Sequence, residues 1–294
     1  MKRKLVLMGK HTLMSAIPSK WIDRHNLKKG DYVEFIEVEN KLVLTSTAEI
    51  FERKTEVTIK TDKITETWRV ILPAYLSGYN EVKINYENPN ALKLIESHIK
   101  ELIGFEIVET NPKYVRVMSI SKTLDDDFQV IFKRVWFVLK QSSEITKGVF
   151  STRRKKRLDE IRALEFTINR YVNFLRRVIN RTGYKYPHYM YLIISFIELT
   201  ANHLDYIRRY YLIFNKNKRI DNMATKDYDK IHDLIEKVYD MYYNYSDDKF
   251  LWVAHEQPHF HWFKKIKDQK ILADFRAMVE YLVQIARQIK ALNT

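Results

Sequence analysis

Apolar residues recur along this chain with two periods. Up to about residue 121 they alternate in short runs, the spacing of strands, and from Asp125 onward they return every three or four positions, the spacing of helices. In "TLMSAI", Leu13, Ser15 and Ile17 fall on one side and Thr12, Met14 and Ala16 on the other, which predicts a strand over 12–17. Pro18 stops it, because proline cannot donate to a sheet ladder but fits the first turn of a helix. "PSKWIDRHN" then reads as a helix of one to two turns, closed by Asn26 and "KKGD". Strands "KLVLM", "YVEFIEV" and "KLVLTS", with a turn at Glu39–Asn40, complete a first unit over residues 1–47. A unit so small buries too little surface to hold itself together, so association with a second copy is the expected source of its core.

Residues 53–121 alternate strand and helix in the order βαβαββ: "TEVTIKT", a helix around "ITETWRVILPAYLSG", "NEVKINY", a helix "PNALKLIESHIKELI", "FEIVET" and "YVRVMSIS". Asn88-Pro89 reads as a cap and first helical residue, Gly104 as a helix stop, and Asn111-Pro112 as the turn of a hairpin. Pro73 is expected to kink the first of these helices.

Residues 123–294 read as a helical bundle. "DDDFQVIFKRVWFVLKQSSEI" opens with three aspartates suited to a helix N-terminus and carries Phe128, Ile131, Phe132, Val135 and Leu139 on one stripe. Leu158, Ile161, Glu165, Ile168, Val172, Leu175 and Ile179 make a heptad seam with one carboxylate in it. Gly183 and Pro187 turn the chain into a very apolar third helix to about Phe214, and further helices are expected at about 226–245 and 268–291. The predicted fold class is α+β in three parts.

Composition narrows the function. With 294 residues the chain is long enough for about two or three domains. Lys+Arg 51 against Asp+Glu 37 gives a net charge of +14, which favours a polyanionic partner. The absence of cysteine excludes disulfides and thiolate chemistry and fits a reducing, cytoplasmic setting. "MKRKLVLMGKHTLM" begins like a signal peptide, but Gly9, Lys10 and His11 interrupt its apolar run. "YMYLIISFIELTA" is about half the length a bilayer needs and contains Glu198, so no membrane insertion is expected. Without a nucleotide loop, nucleophile elbow or paired catalytic carboxylates, the chain does not read as an enzyme.

Between Met1 and Lys29 stand Lys2, Arg3, Lys4, Lys10, Lys20, Arg24, Lys28 and Lys29, opposed only by Asp23. Mobile cations of this kind neutralise phosphates, so Lys2, Arg3, Lys4, Lys10, His11, Lys20 and Arg24 are the candidate contacts to double-stranded DNA. The order "GKHTLMSAIPSKWIDRHNLKKGD" resembles the swapped-hairpin DNA-binding domain of the AbrB and SpoVT family, with Ile17-Pro18, Trp21, Leu27 and Gly30-Asp31 at the family's positions. With "YLSGYNEVKI" and the helical half, the whole chain resembles the archaeal PhoU-like phosphate uptake regulators. The resemblance implies an intertwined homodimer through the N-terminal domain and a dimeric transcription regulator of phosphate or other ion uptake. The basic pair on the short helix of AbrB falls here on Ile22 and Asp23, so base-reading residues do not carry over.

PhoU proteins hold metal clusters on acidic pairs spaced four apart on two successive helices. The matching places here are Glu165 with Asn169 and Glu198 with Asn202, where the second carboxylate of each pair has become an amide. The i, i+4 spacing survives, but the lost charge weakens any divalent metal, and a buried polar layer fixing bundle register is the competing reading. Glu236 with Asp240 keeps the spacing on a polar, solvated stripe. In "VAHEQPHFHWF", His255, Glu256, His259 and His261 offer ligands in no standard spacing, and Pro258 breaks any continuous helix. "TRRKKRLDE" is a basic helix start and a possible auxiliary anion site. Two alternatives stand beside the regulator: a PhoU-type signalling adaptor of a transporter or kinase, and an antitoxin-like protein-binding module.

Overall fold

The structure is a computed structural model that describes residues 2–38, 41–46, 53–120, 128–152, 157–182, 184, 186–214, 222–256, 263 and 266–294. The fold is α+β, in two compact units, Met1–Lys54 and Thr55–Thr294.

The first unit holds two separate hairpins. Strand β1 (Val6–Met8) pairs antiparallel with β2 (Thr12–Met14), with Leu7 opposite Leu13. Helix α1 (Ser19–Arg24) follows Pro18, and β3 (Val33–Val38) pairs antiparallel with β4 (Lys41–Ser46). Asn26, at φ 52, and Gly30, at φ 101, close the helix and turn the chain into β3, with the Asp31 carboxylate accepting the Lys28 N–H at 2.7 Å. The strand expected over 12–17 ends at Met14. A strand persists only while a partner pairs with it, and β1 reaches back no further than Val6, opposite Met14.

In the second unit, β5 (Lys54–Ile59), α2 (Ile64–Leu76), β6 (Glu81–Tyr86), α3 (Ala91–Glu101), β7 (Phe105–Asn111) and β8 (Tyr114–Ser119) follow in βαβαββ order. The sheet runs β5-β6-β8-β7, with β8 antiparallel to both β6 and β7. Strict alternation along β6 turns Val82, Ile84 and Tyr86 inward, where Ile59, Ile71, Tyr75, Ile95 and Val117 complete a core under the two helices. Asn88-Pro89 precedes α3 instead of starting it. The Asn88 side chain accepts the Asn90 N–H at 2.9 Å, an Asx turn that delays the helix to Ala91. Helix α2 runs on through Pro73, which lies in its last turn, where the Ser77 N–H bonds the Pro73 carbonyl at 2.9 Å.

His98 of α3 is buried at 4% exposure beside Trp68, its Nε2 3.1 Å from the Ile64 carbonyl. The carbonyl can only accept, so Nε2 carries the hydrogen, and Nδ1 is left buried without a partner. Burial holds the His98 imidazole below its ordinary pKa, against the weaker pull of the Ile64 carbonyl. The unfolded chain therefore takes up a proton at His98 at about pH 6.5, before the folded chain does. This contribution to stability is complete above that pH and declines as pH falls toward the folded pKa. The urea midpoint of the native protein should drop more steeply between pH 7 and 5 than that of His98→Gln, which keeps a donor for Ile64 and takes no proton. Parallel pH profiles would remove the assignment.

The bundle consists of α4 (Phe128–Thr152), α5 (Leu158–Thr182), α6 (Pro187–Arg209), α7 (Asn222–Tyr243), α8 (Asp247–Glu256) and α9 (Gln269–Leu292). Helix α4 packs on α5 and α7, and α9 on α6, α7 and α8. Phe128, Phe132, Val135 and Leu139 of the α4 stripe are buried, as are the six apolar members of the α5 seam. Helix α6 ends in a π-helical turn, Tyr210–Phe214. Helix α8 was not expected: its ten residues sit inside what the sequence presents as a connector. The aspartates 125–127, the Glu39–Asn40 turn and Gly183 lie outside the described residues.

Candidate nucleic-acid interface and the polar layer of the bundle

The seven candidate DNA-contact residues occupy three places in the first unit. Lys2, Arg3 and Lys4 lead into β1, and Lys10 and His11 form the tip of the first hairpin, where Gly9 takes a left-handed conformation (φ 71) that glycine adopts without steric cost. Lys20 and Arg24 lie one turn apart on α1 and so share a face. All seven are exposed, and none is held in an ion pair among the described residues. Free, solvated cations can follow a polyanion without first breaking internal contacts.

The same unit leaves its apolar side chains in water. Leu5, Val6, Leu7, Met8, Leu13 and Met14 of the first hairpin are 49–64% exposed, and Tyr32, Phe35, Leu42 and Val43 are 45–84% exposed. Burying one such side chain is worth about 1.5–3 kcal/mol, and no apolar residue of the unit is buried among those described.

In the bundle, three of the four residues singled out for metal, Glu165, Asn169 and Glu198, are engaged with the protein itself. The Asn169 amide donates to the Glu165 carboxylate at 2.6 Å, and Glu198 accepts from the Arg176 guanidinium at 2.6 Å, a guanidinium shared with the Ser195 hydroxyl at 2.9 Å. Asn202 is half-buried one turn beyond Glu198 on α6. Burial pushes the Glu165 carboxyl above the ordinary range, opposed by the Asn169 hydrogen bond, and the negative charges of Asp205 and Glu198 add to the rise. Asp205 was not singled out by the sequence. It is 1% exposed and accepts from Arg208 and Arg209 at 2.5 Å each, a pattern that its i+3 and i+4 spacing could have revealed.

These residues do not fit a hard cation. Arg176 already neutralises Glu198, two arginines neutralise Asp205, and Asn169 turns its amide donors, not its oxygen, toward Glu165. Among the described residues no group of three or more His, Asp or Glu is arranged to hold a metal ion. Glu236 and Asp240 pair with Lys140 and Lys249, each at 2.6 Å. His255 is exposed in the last turn of α8, while His259, His261 and Arg153–Lys156 lie outside the described residues. Arg157 pairs with Glu160 at 2.9 Å.

Ser143, His232 and Glu144 have the order of a nucleophile, base and orienting acid: Ser143 Oγ lies 3.0 Å from His232 Nδ1, and His232 Nε2 lies 3.1 Å from Glu144. Ser143 is fully buried and also bonded to the Tyr228 hydroxyl at 3.0 Å. A hydroxyl so enclosed cannot meet a substrate carbonyl, and Ser143, Tyr228 and His232 form a buried hydrogen-bonded network that ends at the exposed Glu144 carboxylate.

Residues 13–50 match a family model described as "Antidote-toxin recognition MazE, bacterial antitoxin". The match takes in β2, α1, β3 and β4 and leaves the second unit untouched. No curated protein and no solved structure matches the chain.

Proposed function

We propose that this protein is a dimeric DNA-binding transcription regulator whose first unit pairs with a second copy to form the DNA-binding surface. The observation that carries the reading is the combination in one small unit of unpaired cations and an apolar surface that its own chain cannot cover. The match of residues 13–50 to an antitoxin-type family model supports it at that coarse level. The finer reading, control of phosphate or other ion uptake in the cytoplasm through a PhoU-like helical half, rests on the resemblance of the whole chain's organisation. In that reading residues 1–47 bind DNA and dimerise, 53–121 connect, and 123–294 sense an ion or meet a transporter or signalling partner. Among the described residues no helix is long and apolar enough to cross a membrane.

The test is the salt dependence of binding. Lys10→Gln with Lys20→Gln removes four cations from a dimer; if each neutralises one phosphate, the slope of log K against log salt falls by about 3 to 4. Specific and random DNA should both be bound at least about tenfold more weakly. An unchanged slope, with affinity retained, would sink the assignment.

A second reading follows from the matched family's description: the first unit recognises a protein partner in the manner of an antitoxin. Its exposed apolar strands would then be covered by that partner, and co-purification of one stoichiometric protein with a DNA-inactive chain would favour it.

A further inference from the structure

Arg170 and Arg177 lie seven residues apart on α5 and share a face. Their surroundings differ. The Arg177 guanidinium is held by the carbonyls of Tyr75 and Tyr79 at 2.6 and 2.7 Å. Arg170 is half-buried, makes no hydrogen bond or ion pair among the described residues, and has its Nε fully shielded from solvent. The carboxyl of Glu101 feels the Arg170 charge but stands outside ion-pair distance, and burial keeps it above the ordinary range. A guanidinium whose Nε is shielded and whose other donors are left unused by the described residues is free to take an anionic ligand.

Arg170 lines a half-open cavity of about 540 Å³ bordered by α3, β7 and α5, a volume within the range of small-molecule sites. Ile99, Leu102, Phe105 and Ile107 form the apolar part of a mixed lining. Lys100 stands at its exposed rim, and Glu96 and Glu106 also border it.

We propose that this cavity binds a small organic carboxylate with a branched apolar body, the carboxylate seated on Arg170. The guanidinium offers paired donors to a planar carboxylate, while the apolar body covers the Ile99–Ile107 wall. Glu96 and Glu106 oppose a second anionic group, so phosphates and dicarboxylates fit less well. They can also accept an ammonium, so the ligand is either a 2-oxo acid or the corresponding amino acid. The site joins the small sheet to the bundle, so its occupant tightens the packing between them.

The experiment uses the full chain with leucine, 4-methyl-2-oxopentanoate and the uncharged 4-methylpentanamide, read by calorimetric titration and by thermal melting. At least one carboxylate should bind with Kd below about 1 mM and raise Tm, and the amide at least tenfold more weakly. Leucine the tighter identifies the amino-acid source, and the oxo acid the tighter identifies the other. Arg170→Met should bind at least tenfold more weakly yet melt no lower than the native chain without ligand, because an unpartnered cation has gone. The proposal is overturned if neither carboxylate binds, if the amide binds equally well, or if Arg170→Met keeps its affinity. Should that variant fail to fold, Lys100→Glu at the exposed rim decides: a loss of threefold or more supports the site, and unchanged affinity rejects it. DNA takes no part in these readouts, so their outcome is separate from that of the salt titration.

Discussion

Arg177→Ala will lower the unfolding free energy by about 3–5 kcal/mol, the largest single-residue effect expected in this protein. Arg177 is 2% exposed, and its guanidinium caps the C-terminal end of α2 by bonding Tyr75 and Tyr79 carbonyls. Asn180, one turn on, donates to the Leu76 carbonyl at 2.9 Å. The cation meets the negative pole of α2 and lies over the rings of Tyr75 and Phe105, at 4.9 and 4.7 Å from their centroids. Alanine takes one charged donor from each of these carbonyls, of which that of Tyr75 keeps the Gly78 N–H at 3.1 Å, and leaves a void between sheet and bundle. Lysine keeps the charge but cannot fork to both carbonyls, so Arg177→Lys should fall between. Urea unfolding of the three proteins checks this, and a loss below about 1 kcal/mol for alanine would contradict the packing described.

The second large effect concerns assembly. Leu7 and Leu13 face each other across the first hairpin and are 61% and 58% exposed. Leu7→Glu with Leu13→Glu should convert a micromolar dimer into a monomer by sedimentation. DNA affinity should fall by about a hundredfold or more, because two linked half-sites gain 10²–10⁴ over one. A native chain that sediments as a monomer at that concentration would refute the assembly.

The parts of this fold that were legible in the sequence are those set by local chemistry. The βαβαββ order follows from Gly104, at φ 81, and from the Asn111-Pro112 turn, which the pairing of Asn111 with Tyr114 makes a hairpin. The α5 seam follows from heptad spacing alone. The illegible parts depend on partners distant in the chain. Arg177 looks like any polar-face arginine until Tyr75, 102 residues away, supplies a carbonyl. The end of β2 depends on where β1 stops, and α8 is too short for its periodicity to stand out. In the polar layer, Glu165 and Glu198 were visible as breaks in apolar seams, but the Arg176 that answers Glu198 was not, because its reach depends on how α5 and α6 meet.

The π-helical turn at Tyr210–Phe214 makes the chain sensitive to a single deletion there. Its wider ring takes in one residue more than an α-helical turn, and the neighbours Tyr210 and Tyr211 at its start serve different helices. The Tyr210 hydroxyl bonds Asp268, the cap of α9, while the Tyr211 ring packs edge-on to Phe150 of α4 at 5.7 Å. Removing one residue would restore an ordinary turn and rotate the residues downstream of it by about 100°. Where the missing residue precedes them, both tyrosines lose the helices they serve. An insertion or deletion in this segment is thus a change of phase, whereas the same change in an exposed connector would alter only length.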